Sequence, residues 1–168
     1  MRYPTSYSTK QQLALLQTYI AMMDGEIMNY ELFNELTGYS KDYYKVVMST
    51  LKQMIYDLHL KCDLQRISQE VITKETKYKT YSYKLLSRFD YSFTLNKEIP
   101  DNKKIMYSSV IVYLHLKKGY YVSSDILSNY LPNLDNRIFI NILEGLKSVI
   151  ADEIIKNQIQ SYEMIPLD

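Results

Sequence analysis

Apolar residues recur three or four positions apart in the first part of the chain, which is the spacing of one face of an α-helix. The first such series is Leu13, Leu16, Ile20 and Met23. It predicts an amphipathic helix over residues 10–23, which ends at Gly25 because glycine interrupts helices readily. A short strand is expected directly afterwards, over residues 26–28.

Two more helices are predicted before residue 60. Asn29 can cap a helix over residues 30–37, and Gly38 ends it. Ser40 can cap a longer third helix that runs to about residue 58. The inward stripe of this third helix consists of Tyr44, Val47, Leu51, Met54 or Ile55, and Leu58.

A change from helical spacing to strict alternation then indicates strands. The alternating sets are Leu60, Cys62 and Leu64, and Tyr81, Tyr83 and Leu85. The polar segment Thr73–Thr76 lies between them and predicts the tip of a hairpin. The alternation alone leaves the register of that hairpin open.

The pattern of residues 10–57 returns in residues 104–152. Tyr19 and Gly25 match Tyr113 and Gly119 at a shift of 94. At a shift of 95, Leu51, Lys52, Ile55 and Asp57 match Leu146, Lys147, Ile150 and Asp152. A period this long does not indicate a solenoid. It predicts two copies of one small domain, at 1–86 and 103–168, joined by a linker at 87–102.

The second copy is expected to repeat the elements of the first. A helix is predicted over residues 103–118, a strand over 120–122, a helix capped by Ser123 or Ser124, and a turn at Pro132-Asn133. A long helix over residues 135–151 and a strand or hairpin over 153–167 complete it. The inward positions of the long helix are Phe139, Ile142, Leu146 and Val149.

Composition adds few constraints. The 20 basic and 19 acidic residues give a net charge of +1, so only local charge can indicate a polyanionic partner. The single cysteine, Cys62, cannot form an internal disulfide, which favours a reducing compartment. We find no signal peptide and no apolar stretch of membrane-spanning length, so a soluble, cytoplasmic protein is expected.

Motifs for catalysis or cofactor binding are missing from the sequence. One cysteine and two separated histidines are a poor supply for a zinc site, which needs about four ligands. The phosphate-binding, dinucleotide-binding and serine-nucleophile glycine motifs do not occur, and nothing selects a catalytic carboxylate pair. We therefore expect no metal, no cofactor and no enzymatic activity.

The order helix, strand, helix, turn, helix, hairpin is that of the winged helix-turn-helix domain. The first copy resembles the N-terminal segment of DeoR-type and WYL-associated bacterial regulators. Glu31–Leu36 stands where that family has ELAELLGVS, and Gly38–Lys45 with Leu51 stands for RRTVxRDLxxL. The chain departs from the family at Lys45-Val46, where an Arg-Asp pair is common, and in having a second copy instead of a sensor domain. The resemblance implies an α+β protein of two tandem winged-helix domains, each of three helices and a β-hairpin.

A winged helix reads DNA with the start of its third helix and supports it with the wing hairpin. On the first copy, Lys41, Lys45, Ser49 and Lys52 project within about 80° of one another on the third helix. The hairpin region carries six cations and three acids, an excess of +3. The predicted DNA-binding residues are Tyr39, Ser40, Lys41, Tyr43, Lys45, Ser49 and Lys52, with Lys74, Lys77 and Lys79 on the wing.

The second copy lacks this face. At a shift of 95 the four third-helix positions become Asn136, Ile140, Glu144 and Lys147. We expect the first copy to contact duplex DNA and the second to pair with another protein or another subunit, most simply in a homodimer. The predicted function is sequence-specific DNA binding as a bacterial, plasmid or phage transcription regulator. The alternatives are a plasmid-type replication initiator and a non-catalytic scaffold of two winged helices.

Overall fold

The computed structural model describes residues 5–87, 90–95, 98–118 and 136–150, and this part of the chain is a mixed α+β structure. The helices are α1 (Thr5–Met23), α2 (Tyr30–Thr37), α3 (Lys41–Asp57), α4 (Asp101–Met106), α5 (Ser108–Lys117) and α6 (Asn136–Val149). The strands are β1 (Asp63–Ile72) and β2 (Lys77–Leu86), which form one antiparallel hairpin. The α+β class predicted from the sequence is confirmed.

The predicted caps set the boundaries of α2 and α3. The Asn29 side chain accepts a hydrogen bond from the Leu32 N–H at 2.8 Å, and the Ser40 hydroxyl accepts one from the Tyr43 N–H at 3.3 Å. Gly38 ends α2 with φ at 76°, a left-handed conformation that glycine adopts without strain. By contrast, α1 begins at Thr5 instead of residue 10, because apolar periodicity marks the buried part of a helix and not its whole length.

The hairpin has the predicted tip at Thr73–Thr76. Asp63 lies opposite Leu86 at its base, and Ile72 lies opposite Lys77 at the far end. Leu85 is buried near the base whereas Ile72 is 73% exposed, so the hairpin projects from the core into solvent. The strand predicted over residues 26–28 is a single bridge, in which Met28 exchanges both backbone hydrogen bonds with Tyr83.

The core is centred on α1, which packs against α2, α3, α5 and α6. Its fully buried side chains include Leu15, Leu16, Tyr19 and Met22 from α1, Phe33 from α2, Leu51 and Met54 from α3, and Val110, Ile111 and Leu114 from α5. They belong to one continuous cluster that also contains Leu146 of α6. The described parts of the two sequence copies therefore share a single core.

The described part of the predicted linker lies against this core. Tyr91, Phe93 and Leu95 pack on it, and the Thr94 N–H donates to the Leu58 carbonyl oxygen at 2.9 Å. Residues 90–95 form no strand.

The predicted helix over residues 103–118 is wrong in its continuity, because it is divided into α4 and α5 at Tyr107. The Tyr107 hydroxyl donates to Asp57 Oδ2 at 2.7 Å, and Lys103 Nζ lies 3.8 Å from the same oxygen. This contact joins the start of the second copy to the end of α3. Sequence periodicity could not reveal it because both partners are polar and 50 residues apart.

The long helix predicted over residues 135–151 is confirmed as α6, with Ile142 and Leu146 buried and Val149 half-buried. The other expectations for the second copy, a strand at 120–122, a helix after Ser124, a turn at Pro132-Asn133 and a hairpin at 153–167, lie outside the described residues. Among the helices that the structure describes, none has the length and apolar character needed to cross a bilayer.

Close packing of α1 on α6 makes Gly145 a sensitive position. A Cβ atom added there would lie 2.7 Å from Leu13 Cδ2, so any larger side chain must displace Leu13. We expect Gly145→Leu to destabilise the chain by roughly 1–3 kcal/mol, the usual cost of overpacking. Urea denaturation measures this, with Asn141→Leu on the exposed side of α6 as the control. Equal midpoints for the two variants would contradict the contact.

Candidate nucleic-acid interface

A groove of about 850 Å³ separates the exposed face of α3 from the hairpin. One wall is formed by α3 and the start of α2, and the other wall is formed by β1 and β2. Most of the lining residues carry a charge, a hydroxyl group or a side-chain amide. They are Asn29, Tyr30, Glu31, Lys41, Tyr44, Lys45, Ser49, Lys52, Arg66, Gln69, Tyr78, Lys79, Thr80, Tyr81, Ser82 and Tyr83. Polar residues therefore outnumber apolar ones in the lining.

Positive charge is concentrated in this groove. Lys41, Lys45 and Lys52 come from α3, and Arg66 and Lys79 come from the hairpin. Glu31 is the one carboxylate among the lining residues, so five cations minus one anion give a local excess of +4. The whole chain carries only +1. Walls of one charge sign focus the electric field inside a cleft, which favours an anionic ligand.

The helical register of α3 places its lysines at the groove. The buried side of the helix carries Tyr44, Val47, Met48, Leu51 and Met54. The remaining surface presents Lys41, Lys45, Ser49 and Lys52, which are all exposed. At 1.5 Å per residue these four positions span about 16 Å along the helix. The predicted common face of α3 is thus confirmed, and all four of its residues line the groove.

Tyr44 holds the two walls of the groove together. Its hydroxyl lies within hydrogen-bonding distance of the carbonyl oxygens of Tyr81 (3.3 Å) and Met28 (3.4 Å). Its ring packs against Phe33 and, edge to face, against Tyr83. Burial raises the pKa of the Tyr44 phenol well above its usual range, so the hydroxyl remains protonated and can donate. This side chain fixes the position of β2 relative to α3.

Arg66 and Tyr81 form a cation–π pair on the hairpin wall. The guanidinium carbon lies 4.8 Å from the centre of the Tyr81 ring, and both side chains are exposed. Stacking restricts the orientation of the guanidinium while leaving its N–H donors open to a ligand. The sequence showed Arg66 as one of several wing cations but did not single it out. Its pairing with Tyr81 depends on the hairpin register, which the alternation left open.

Five of the ten predicted DNA-binding residues line the groove: Lys41, Lys45, Ser49, Lys52 and Lys79. The other five, Tyr39, Ser40, Tyr43, Lys74 and Lys77, do not. Lys74 lies in the exposed turn at the hairpin tip. Lys77 pairs with Glu70 at 2.7 Å, and this exposed ion pair offsets its charge.

The remaining three predicted residues have local structural roles. Tyr39 and Tyr43 pack edge to face at 5.0 Å, with Lys10 Nζ 4.4 Å and 4.8 Å from their ring centres. Tyr43 also borders a small cavity together with Leu15 of α1, so it faces the helix core and not the groove. The Ser40 hydroxyl caps α3. These contacts place all three side chains outside the groove lining, and the packing of Tyr43 near α1 was not visible in the helical register. Their part in DNA binding stays a prediction.

Cys62 is a buried thiol at the base of the hairpin. Burial, with a smaller contribution from the Asp63 charge, raises its pKa from 9.0 to about 11. Thiolate is the reactive form, so the raised pKa lowers the reactivity of Cys62 at neutral pH. We expect slow labelling of the native chain by a thiol reagent and fast labelling in concentrated urea. Equal rates in the two conditions would show that Cys62 is accessible.

Comparisons with models of protein families, with curated proteins and with solved structures find no match to this chain. The case for a function therefore depends on the groove between α3 and the hairpin.

Proposed function

We propose that the chain binds duplex DNA through this groove and acts as a bacterial, plasmid or phage transcription regulator. The observation that carries the proposal is the convergence of five cations from two separate elements on one surface with an excess of +4. A duplex is a dense polyanion, and neutralising its phosphates releases condensed counterions. Lysine and arginine on two walls can contact one sugar–phosphate backbone from both sides.

The order of elements supports a winged-helix arrangement for the first copy. Three helices are followed by a projecting hairpin, as the resemblance to DeoR-type and WYL-associated regulators implies. In such domains the start of the third helix enters the major groove, and the wing contacts the adjacent backbone. Here Lys41, Lys45 and Ser49 occupy the exposed side of the first half of α3. They would read bases, while Lys52, Arg66 and Lys79 would position the duplex.

The mechanism of regulation would be steric. A chain bound at an operator covers part of the DNA surface that RNA polymerase needs. Affinity would come mainly from the cations on phosphates, and base contacts from α3 would supply the sequence preference.

A scaffold of two winged helices is the alternative that the small net charge of +1 favours. Such a protein would work through protein contacts and would have little need for a cationic groove.

A selection from random duplexes separates the regulator from the scaffold. The probe is a pool of about 30 bp, roughly three helical turns. A regulator should enrich a recurring motif after a few rounds at moderate salt. An unenriched pool, together with no binding at low salt, would contradict the proposal and support the scaffold.

A further inference from the structure

The aromatic contact between α1 and α5 joins equivalent positions of the sequence repeat. Tyr19 and Tyr113 match at a shift of 94, and their rings meet edge to face at 6.2 Å. Both side chains are almost completely buried. Contact between a residue and its own counterpart is the property of an isologous, two-fold interface. A simple translation from one copy to the next would instead bring different positions together.

Contacts with the long third helices are also exchanged between the copies, at the level of whole helices. Leu13 of α1 lies against Gly145 of α6, the long helix of the second copy. Its counterpart at a shift of 94 is Tyr107, which reaches Asp57 at the end of α3, the long helix of the first copy. In each copy, therefore, the residue at this position contacts the long helix of the other copy.

A further reciprocal pair lies beside these contacts. The Gln12 side-chain amide donates to the Ile105 carbonyl oxygen at 2.5 Å and to the Ser108 hydroxyl at 2.9 Å. The counterparts of Gln12 and Ile105 are Met106 and Gln11, and these two residues border the same small cavity. Two sets of contacts, Tyr19 with Tyr113 and Gln12–Ile105 with Gln11–Met106, thus obey one two-fold relation residue by residue, and the contacts with the long helices follow it at the level of whole helices.

We infer that the two copies form a pseudo-dimer within one chain, and that a single chain is the DNA-binding unit for one non-palindromic site. The α1 surface that would join two identical modules is occupied by α5 of the same chain. The predicted homodimer is therefore replaced, at this surface, by an internal pairing. The second half of the inference rests on the proposed function.

The two copies of the pseudo-dimer differ in the charge that their long helices expose. A symmetric dimer presents two equivalent recognition helices and binds an inverted repeat. Here the exposed Ser49 of the cationic face corresponds to the exposed Glu144 on α6, at a shift of 95. A carboxylate at that position repels phosphate, and within the described residues the cationic groove lies on the first copy. One chain then recognises one half-site.

Sedimentation of the full chain without DNA tests whether a single chain is the unit. We expect one species of 19.9 kDa whose mass does not change with protein concentration. A stable species of twice that mass would overturn the inference that a single chain is the unit, because two chains would then associate through a further surface. This result does not depend on DNA binding.

The sequence motif enriched from the random duplex pool tests whether one chain binds one non-palindromic site. We expect one block without internal two-fold symmetry, bound by one chain per duplex in a titration of the enriched sequence. An inverted repeat bound by two chains would overturn the single-site inference while supporting DNA binding itself. Complete lack of binding would overturn it together with the proposed function, and the sedimentation result would still decide whether the chain exists as a single unit.

Discussion

Replacing Lys41, Lys45 and Arg66 together with alanine is expected to remove most of the salt-dependent affinity for duplex DNA. If each of the five groove cations contacts one phosphate, the wild-type chain should lose affinity about 500-fold between about 50 and 200 mM salt. The triple variant keeps Lys52 and Lys79 in the groove. The affinity of the triple variant should fall only about tenfold over the same range of salt concentration. Fluorescence anisotropy with a labelled duplex at several salt concentrations measures both slopes.

The matched control removes the same charge outside the groove. Lys61, Lys84 and Lys118 do not line it, so their combined replacement with alanine should leave a salt slope close to that of the wild-type chain. If both triple variants lose affinity equally, binding depends on overall charge and not on the groove. Equal affinity of the groove variant and the wild-type chain would exclude these cations as contacts.

Replacing Tyr19 with alanine is expected to have the largest effect on stability, about 3–5 kcal/mol, the usual cost of removing a buried aromatic side chain. Tyr19 is 1% exposed in the part of α1 that serves both copies. Tyr113→Ala should cost a similar amount because its side chain fills the opposite side of the same contact. Urea denaturation monitored by circular dichroism should show one cooperative transition for the wild-type chain, since the described core is continuous.

Tyr56 provides the control, because it is 76% exposed and its replacement with alanine should change stability by less than about 0.5 kcal/mol. The milder variants Tyr19→Leu and Tyr113→Leu permit a double-mutant cycle with a coupling of about 0.5–1.5 kcal/mol. Additive effects, or two separate transitions in the wild-type chain, would contradict a shared core.

Local signals in the sequence were sufficient to predict the elements of the first copy. The ends of α2 and α3 depend on Asn29, Gly38 and Ser40, whose hydrogen bonds and backbone conformation are properties of a few neighbouring residues. The common face of Lys41, Lys45 and Lys52 depends only on helical geometry. These features were therefore predictable without knowledge of the fold.

The features that were missed depend on contacts between distant segments. No local pattern distinguishes Tyr43, which packs near α1, from Lys45, which lines the groove. Arg66 acquires its position from stacking on Tyr81, 15 positions away on the other strand. The contact of Tyr107 with Asp57 likewise joins residues that are far apart in the sequence. In each case the side chain's surroundings include residues distant in sequence, and local periodicity does not identify them.

The internal repeat has one feature that was predictable from the sequence and one that was not. The sequence revealed two copies, and their separate-domain interpretation follows naturally from the linker composition. It did not reveal that Tyr19 and Tyr113 touch, since equal residues at equal positions carry no information about mutual orientation. The shared core is a tertiary property.

Cysteine protection at equivalent positions of the two copies tests the central claim most directly. Ser49 in the groove and Glu144 on α6 are both exposed and match at a shift of 95. Buried Cys62 should contribute little background. With saturating duplex DNA, we predict strong protection of Ser49→Cys from a thiol reagent and an unchanged labelling rate for Glu144→Cys. Bound DNA that leaves Ser49→Cys fully reactive, or that protects Glu144→Cys instead, would contradict the account.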